Sequence, residues 1–240
     1  MNSKNINKSN PLISVIMPVY NCESSVGEAI ESILSQSFTN FEFLILDDCS
    51  EDRTLAKVNS FNDPRLKVYN NEKNIGLTKS LNKLIMKSEG SYIARQDGDD
   101  TSSEHRFEKQ LNFIRKENIE ICTSRAIRKN TSKKIPNLSY YVPKNLAMKY
   151  KNPFIHGTLF IKKELLLEIG MYDERFVYSQ DYKLFLDLLN ANLKIKTIKE
   201  PLYVLNMVDN ISTNKKRVQK YYADCVRKNI APNYELYENQ

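Results

Sequence analysis

Ser91-Tyr-Ile-Ala-Arg-Gln-Asp97-Gly98-Asp99-Asp100 decides how this chain is read: a short, largely apolar strand runs straight into crowded carboxylates. Like charges in one turn repel, so the arrangement calls for a partner that offsets them. A divalent cation, Mg²⁺ or Mn²⁺, carrying a phosphorylated ligand is such a partner. Hard oxygen donors suit these ions, which keep water and substrate phosphates among their ligands. Gly98 lets the backbone turn tightly between the acids. Asp-x-Asp alone is common and usually solvated, so its place among the other elements gives it weight.

Upstream, strand and helix patterns alternate. Leu12 to Met17 is a buried-strand run that Pro18 is expected to stop, and Val26, Ala29, Ile30, Ile33 and Leu34 recur at helical spacing. Phe41 to Leu46 forms a second strand ending at Asp47 and Asp48, with a helix starting near Asp52. Leu66 to Tyr69 is a third strand, Gly76 precedes a helix bearing Leu77, Leu81, Leu84 and Ile85, and Ser91 to Gln96 is the fourth strand. This alternation predicts a mostly parallel α/β sheet covered on both faces. Ligands in such sheets bind beyond the carboxyl ends of the strands, where Pro18-Val-Tyr20, Asp47-Asp48 and Asp97-Gly-Asp99 converge.

The second half is less regular. A helix is expected over His105–Glu117, a polar, basic excursion over Ser124–Tyr141 and a strand over Gly157–Ile161. A short helix should end at Gly170, a longer one should open at Asp181, and two strands, Leu193–Ile198 and Leu202–Leu205, should flank Pro201.

The 240 residues suffice for a sizeable core, and 41% hydrophobic with 27% charged residues is ordinary globular composition. No apolar run reaches bilayer-spanning length, and the Asn-rich start lacks a signal-peptide core. Cys22, Cys49, Cys122 and Cys225 are scattered, which reads as free thiols in a reducing, cytoplasmic compartment. The net charge of +7 fits a Lys-rich composition, attraction for anionic substrates or attraction for anionic lipid. No zinc-finger spacing or aromatic RNA-binding signature points to nucleic acid.

Several ordered pieces together resemble family 2 glycosyltransferases. They are Ser14-Val-Ile-Met-Pro-Val-Tyr-Asn21, Ser32-Ile-Leu-Ser-Gln-Ser37, Asp47-Asp-Cys-Ser50, Asn74-Ile-Gly76, Asp97-Gly-Asp-Asp100, Gly170-Met-Tyr-Asp-Glu174 and Gln180-Asp-Tyr-Lys-Leu184. The resemblance runs from about Leu12 to about Ser212. It implies a GT-A (Rossmann-like nucleotide-diphospho-sugar transferase) fold, a nucleotide-sugar donor, a divalent metal and inversion at the anomeric carbon. The expected layout is a flexible start at 1–10 and a transferase domain at 11–212. That domain would divide into a nucleotide-sugar-binding half at 11–100 and an acceptor-binding half at 101–212, followed by a basic helix and tail at 213–240.

Roles follow from that resemblance. Asp99 would hold Mn²⁺ or Mg²⁺, with Asp97 supporting the metal or the donor ribose beside Gly98. Asp48 would accept a hydrogen bond from a uracil imide or ribose, which makes UDP the first-choice nucleotide, and Tyr20 would stack on or flank the base. Pro18, Val19 and Glu23 would line this pocket or serve as plain turn residues. Arg95 would face phosphate or bridge a rim acid. His156 would lie near donor phosphates or acceptor, or be structural. Asp181 matches the family's acid and would act as general base, the alternative being a helix N-cap. Gln180 stands where the family usually has an acid, and Asp187 where a later Arg is common.

The setting implied is bacterial surface-polysaccharide synthesis with a glycan or lipid-linked acceptor. Lys215, Lys216, Arg217, Lys220, Arg227 and Lys228 alternate with Val218, Tyr221, Tyr222, Cys225 and Val226. That helix would pack on its own domain or touch the inner face of the membrane. Two rival readings remain. Asp97-Gly-Asp99-Asp-Thr101 fits the motif of haloacid-dehalogenase-like phosphatases, with Asp97 as nucleophile, although that motif normally follows a first strand. A non-catalytic nucleotide-sugar-binding protein would retain the fold without turnover.

Overall fold

The computed structural model describes residues 11–131, 133–137, 140–206 and 216–233. The expected flexible start at 1–10 lies outside the described residues. In chain order the elements are β1 (Ile13–Val19), α1 (Val26–Leu34), β2 (Phe41–Asp47), α2 (Thr54–Asn59), β3 (Leu66–Asn70), α3 (Leu77–Lys87) and β4 (Tyr92–Arg95). Then come β5 (Thr101–Ser102), α4 (Arg106–Glu117), β6 (Ile121–Arg128), β7 (Lys134–Ile135), α5 (Lys144–Ala147) and a 3₁₀ turn (His156–Thr158). The chain continues with β8 (Phe160–Lys162), α6 (Lys163–Glu168), α7 (Gln180–Asn190), β9 (Ile195–Leu205) and α8 (Lys216–Lys228).

The strands form one curled sheet in the order β3-β2-β1-β4-β8-β6-β9-β5, with β7 on β6. β3, β2, β1 and β4 are mutually parallel, and β6 and β9 are parallel, while β8 joins the two sets antiparallel to both neighbours. Side chains alternate between two cores, as the two-residue strand period requires. Val15, Met17, Phe43 and Ile45 enter one core with Ala29, Ile30 and Ile33 of α1 and Phe107 and Leu111 of α4. Ile16, Leu44 and Leu46 enter the other with Leu81, Leu84 and Ile85 of α3, Leu184, Phe185 and Leu188 of α7, and Tyr222, Cys225 and Val226 of α8. Both faces of the parallel strands are therefore covered, which explains their unbroken apolar runs.

Four local expectations are corrected. Pro18 does not stop β1, which continues to Val19 with Pro18 opposite Leu46. Ile16 O accepts from Gln96 N at 3.0 Å and Val19 O from Asp48 N at 2.8 Å, so alternate residues face β4 and β2. Pro18 shares the Ile16 side, where pairing with β4 has already ended at Ile16–Arg95, so its missing N–H removes no ladder bond.

The polar stretch from Ser124 begins inside the sheet rather than in an excursion. β6 buries Thr123 and Ser124 because distant groups satisfy them: Thr123 Oγ1 bonds Thr197 Oγ1 at 2.9 Å, and Ser124 N donates to Thr158 Oγ1 at 3.0 Å. The two strands expected around Pro201 are one strand, β9, whose register shifts absorb the proline. Gly157 sits in a 3₁₀ turn, and the expected strand starts only at Phe160.

Candidate active site

The carboxyl ends of β1, β2 and β4 form one rim. Val19 stands opposite Asp47, and Gly98 packs so closely on this corner that an added Cβ would lie 2.9 Å from Val19 Cγ1 and 3.1 Å from Cys22 Sγ. Ser25 Oγ donates to Gly98 O at 3.2 Å, which fixes the acidic turn to the segment after β1. Tyr20, at the strand's exit, stays 44% exposed.

Asp48 is buried at the tip of β2. Its Oδ1 accepts from Asn71 Nδ2 at 2.7 Å and Ile75 N at 3.0 Å, and its Oδ2 from Gly76 N at 2.8 Å. A carboxylate has about four acceptor sites, so one remains open on Oδ2. Gly76 takes φ +87°, a left-handed value that suits glycine and turns its N–H toward Asp48. Glu23 is committed to a neighbouring loop instead. Its carboxylate accepts from Arg53 N at 2.8 Å while its own N–H donates to Asp52 at 3.0 Å, the turn role anticipated as its alternative.

Asp97 is held on several sides. Arg95, only 2% exposed, forms an ion pair with its Oδ2, which is the rim-acid bridge rather than a free phosphate-facing guanidinium. Asp97 N donates to Tyr203 Oη at 2.9 Å. An added Cβ on Gly157 would sit 2.4 Å from Tyr203 Oη and 2.8 Å from Asp97 Oδ2, so no larger residue fits behind this carboxylate.

Arg106 supports the turn from beneath. Its Nη2 donates to Arg95 O at 2.8 Å, its Nη1 to Ser102 Oγ at 2.9 Å and to Gln96 Oε1 at 3.2 Å, and its Nε to Gln110 Oε1 at 3.0 Å. Its guanidinium also lies 5.2 Å from the Tyr203 ring centroid. Burial lowers its pKa to about 10, so it stays charged at neutral pH.

Asp99 differs from Asp97. Beyond its own backbone N–H it has no hydrogen bond or ion pair among the described residues. Burial raises its pKa, and the Arg95 charge partly offsets this. Among the described residues, no group of three or more His, Cys, Asp and Glu is placed to hold a metal. A Mg²⁺- or Mn²⁺-type site does not require such a group, because one or two carboxylates share the ion with substrate phosphates and water. The unpartnered Asp99 oxygens are a suitable donor for such an ion. The Cys22 thiol nearby is pushed up to about 12 by burial, with further contributions from Asp99 and Asp52, and stays protonated.

Asp181 enters from α7. It is the second helical residue, and Ser179 holds the cap position, so N-capping does not explain it. Asn152 Nδ2 donates to its Oδ2 at 2.7 Å. Burial raises the Asp181 pKa, while its hydrogen bonds and the Arg95 charge pull the other way. The Arg95 field also reaches Asp99, Tyr172, Tyr203 and His156. Arg95 is thus the charge around which the rim of β4 and the start of α7 meet. His156 Nε2 shares a hydrogen bond with Tyr172 Oη at 2.7 Å, and burial followed by Arg95 holds its pKa well below 6.5. It is a neutral imidazole, not a cationic phosphate ligand.

Pro18, Val19, Asp97, Gly98, Asp99 and Arg95 are therefore in one corner, with His156 and Asp181 coupled to it through Arg95. Asp48 joins through the Val19 backbone rather than by direct contact, and the Glu23 carboxylate is turned to Arg53. Sequence reading missed Tyr203, Arg106, Asn152 and Tyr172. Only the Gly170-Met-Tyr-Asp-Glu174 block drew attention near any of them.

Known proteins place this geometry. The family described as Glycosyl transferase family 2 matches residues 14–170, spanning β1 through the end of α6 and including the acidic turn. The Escherichia coli O-antigen biosynthesis glycosyltransferase WbnJ is 35% identical over 221 residues, covering 88% of this chain and 85% of that protein. The Escherichia coli UDP-Glc:alpha-D-GlcNAc-diphosphoundecaprenol beta-1,3-glucosyltransferase WfgD is 31% identical over 183 residues, covering 75% and 71%. Among solved structures, S. aureus TarS 1-349 in complex with UDP-GlcNAc superposes with a TM-score of 0.75 at 22% identity, covering 94% of this chain and 68% of that one. A longer TarS structure is covered to 36% of its length, with a TM-score of 0.69 at 25% identity over 81% of this chain. The TarS likeness confirms the GT-A architecture. The family match, together with a motif that follows β4, removes the basis for a haloacid-dehalogenase-like phosphatase, whose motif would follow β1. With the acidic turn inside the matched span and its fold shared, this chain belongs to glycosyl transferase family 2 and is a glycosyltransferase.

Proposed function

We propose that the chain is a metal-dependent inverting glycosyltransferase that moves a sugar from a UDP-sugar to a hydroxyl of a glycan or lipid-linked acceptor in bacterial surface-polysaccharide synthesis. The observation that carries this reading is the pairing of two carboxylates around Arg95. Among the described residues Asp99 has no partner beyond its own backbone, and Asp181 is a buried carboxylate with a raised pKa. One suits a cation and the other suits a base. The UDP-Glc donor of WfgD, the O-antigen setting of WbnJ and the UDP-GlcNAc in TarS support the donor class and the setting.

In this reading residues 11–100 bind donor and 101–212 bind acceptor. The open site on Asp48 Oδ2 accepts from the base or ribose, Tyr20 flanks the base, and Pro18, Val19 and Gly98 form the close backbone wall. Asp99, with Asp97 behind it, would hold Mn²⁺ or Mg²⁺. When bound, that ion supplies Lewis-acid stabilisation of the negative charge on the departing nucleoside diphosphate. Arg95 pairs with Asp97 and adds positive charge beside the leaving group. Asp181 Oδ1 or Oδ2 takes the proton from the acceptor hydroxyl, and Asn152 sets the angle of that carboxylate. Neutral His156 and Tyr172 form the wall below it rather than a cationic clamp.

No helix among the described residues is long and apolar enough to cross a membrane. The apolar side of α8 packs on the domain through Tyr222, Cys225 and Val226, so any contact with a bilayer at the inner membrane face would use its basic side. The test is a screen of nucleotide sugars with Mn²⁺ or Mg²⁺, followed by Asp181→Asn. The reading expects donor binding to survive and transfer to collapse. Transfer unchanged by Asp181→Asn would reject Asp181 as base, and donor binding without transfer in the unaltered chain would favour the non-catalytic alternative.

A further inference from the structure

Arg125 is a buried cation with no acid paired to it among the described residues. It is 8% exposed in the middle of β6, its Nε finds no acceptor, and it has no hydrogen bond or ion pair from its guanidinium among the described residues. Its guanidinium lies over Tyr140, whose ring centroid is 5.3 Å from the guanidinium carbon. Lys144 Nζ stands 5.2 Å from the same centroid and donates to Tyr140 O at 3.0 Å. Both charges therefore stand against one ring. Burial alone lowers the Lys144 pKa, with no carboxylate acting against it. Stacking on an aromatic face offsets part of the desolvation of one cation but not the repulsion between two.

This pair adjoins the proposed base. Lys144 Nζ lies 6.0 Å from the Phe154 ring, Phe154 N donates to Asn152 Oδ1 at 3.0 Å, and Asn152 Nδ2 holds Asp181. Residues 125–181 fall in the proposed acceptor half.

We propose that Arg125 and Lys144, arranged around Tyr140, form an anion subsite that binds a phosphate or diphosphate carried by the acceptor. The inference deepens the acceptor side of the proposed function and rests on that reading. Arg125 supplies a planar donor fork and Lys144 a movable ammonium, a combination suited to a diphosphate. Binding fixes the anionic end of the acceptor and leaves its hydroxyl end to reach Asp181.

Isothermal titration of the full chain with inorganic pyrophosphate in EDTA tests this without metal or donor. The wild type binds. Arg125→Met, which keeps the stem, and Lys144→Gln each weaken binding by about tenfold or more, while Asp99→Asn leaves it within about twofold. If Arg125→Met does not fold by circular dichroism, the half-buried Lys144→Gln decides. Dodecyl diphosphate binding tighter than pyrophosphate identifies a lipid-linked phosphate, and equal affinity identifies the phosphate alone; both support the subsite. No binding to wild type at millimolar pyrophosphate, or binding unaffected by Arg125→Met and Lys144→Gln, overturns it. A separate UDP titration with Mn²⁺ reports the donor reading, so failure of one leaves the other legible.

Discussion

Asn152 Nδ2 donates to Asp181 Oδ2 at 2.7 Å, and this bond orients the carboxylate on α7 that sits in the field of Arg95. The chain brings residues 29 apart together so that a buried acid has a fixed direction. Asp181→Asn keeps the shape and removes the base. Transfer should fall by about 10²–10⁴-fold, the usual contribution of a positioned acid or base, with UDP-sugar affinity within about twofold. Steady-state rates beside a donor titration check this.

The raised pKa of Asp181 sets a pH profile. A general base works ionised, so kcat/KM should fall on the acid side through a limb lying above the ordinary carboxylate value of about 3.9. The Asn152 bond stabilises the ionised form, so Asn152→Ala should move that limb to higher pH. Stability follows the same sign. With the folded pKa above the unfolded one, ionisation of Asp181 opposes folding, and its share of stability declines as pH rises from the unfolded value through the folded value. Urea midpoints of wild type and Asp181→Asn across that window should therefore diverge in favour of the variant. Midpoints that stay parallel contradict the burial argument.

Gly157→Ala tests the cradle behind Asp97. The new methyl would lie 2.4 Å from Tyr203 Oη and 2.8 Å from Asp97 Oδ2, so the strand or the carboxylate must move. We expect about 1–3 kcal/mol of destabilisation and a loss of metal-dependent donor binding larger than the stability change explains. Normal Mn²⁺-dependent UDP binding in a folded Gly157→Ala protein would show that Asp97 tolerates displacement.

Arg106→Met probes the support beneath the acidic turn. The substitution preserves much of the stem but leaves Gln96, Ser102, Gln110 and the Arg95 carbonyl without their donor. Each orphaned buried group costs about 1–3 kcal/mol, partly offset by no longer burying a charge. A net loss of roughly 2–4 kcal/mol, read from denaturant midpoints, is expected. A variant as stable as wild type would mean the turn is held mainly from above by Ser25 and Val19.

Much of the first half was legible in the sequence. β1, β2 and α1 carry their own period, and β2 and β4 end visibly at charged residues. Local pattern failed where the partner is distant. β6 reads as a polar excursion because the Thr123 hydroxyl and the Ser124 backbone N–H are satisfied by Thr197 and Thr158, which no window on residues 121–128 contains. Pro18 reads as a stop because its harmlessness depends on where β4 ends. Tyr203 touches Asp97 across 106 residues and looks, in sequence, like one more aromatic in a strand. Asp99 and Asp181 could be chosen by motif, but Asn152, Arg106 and the arrangement around Arg95 required the fold.

The central claim is that Asp99 presents a cation to the diphosphate of a nucleotide sugar. The most direct measurement is the melting temperature of wild type and Asp99→Asn with UDP, with and without Mn²⁺. A ligand at a hundred times its Kd adds about 2.7 kcal/mol, which in a chain of this size raises Tm by about 5–10 °C. The account predicts that shift for wild type only when UDP and Mn²⁺ are both present, and its absence in Asp99→Asn. An equal shift without metal, or one retained in Asp99→Asn, would contradict it.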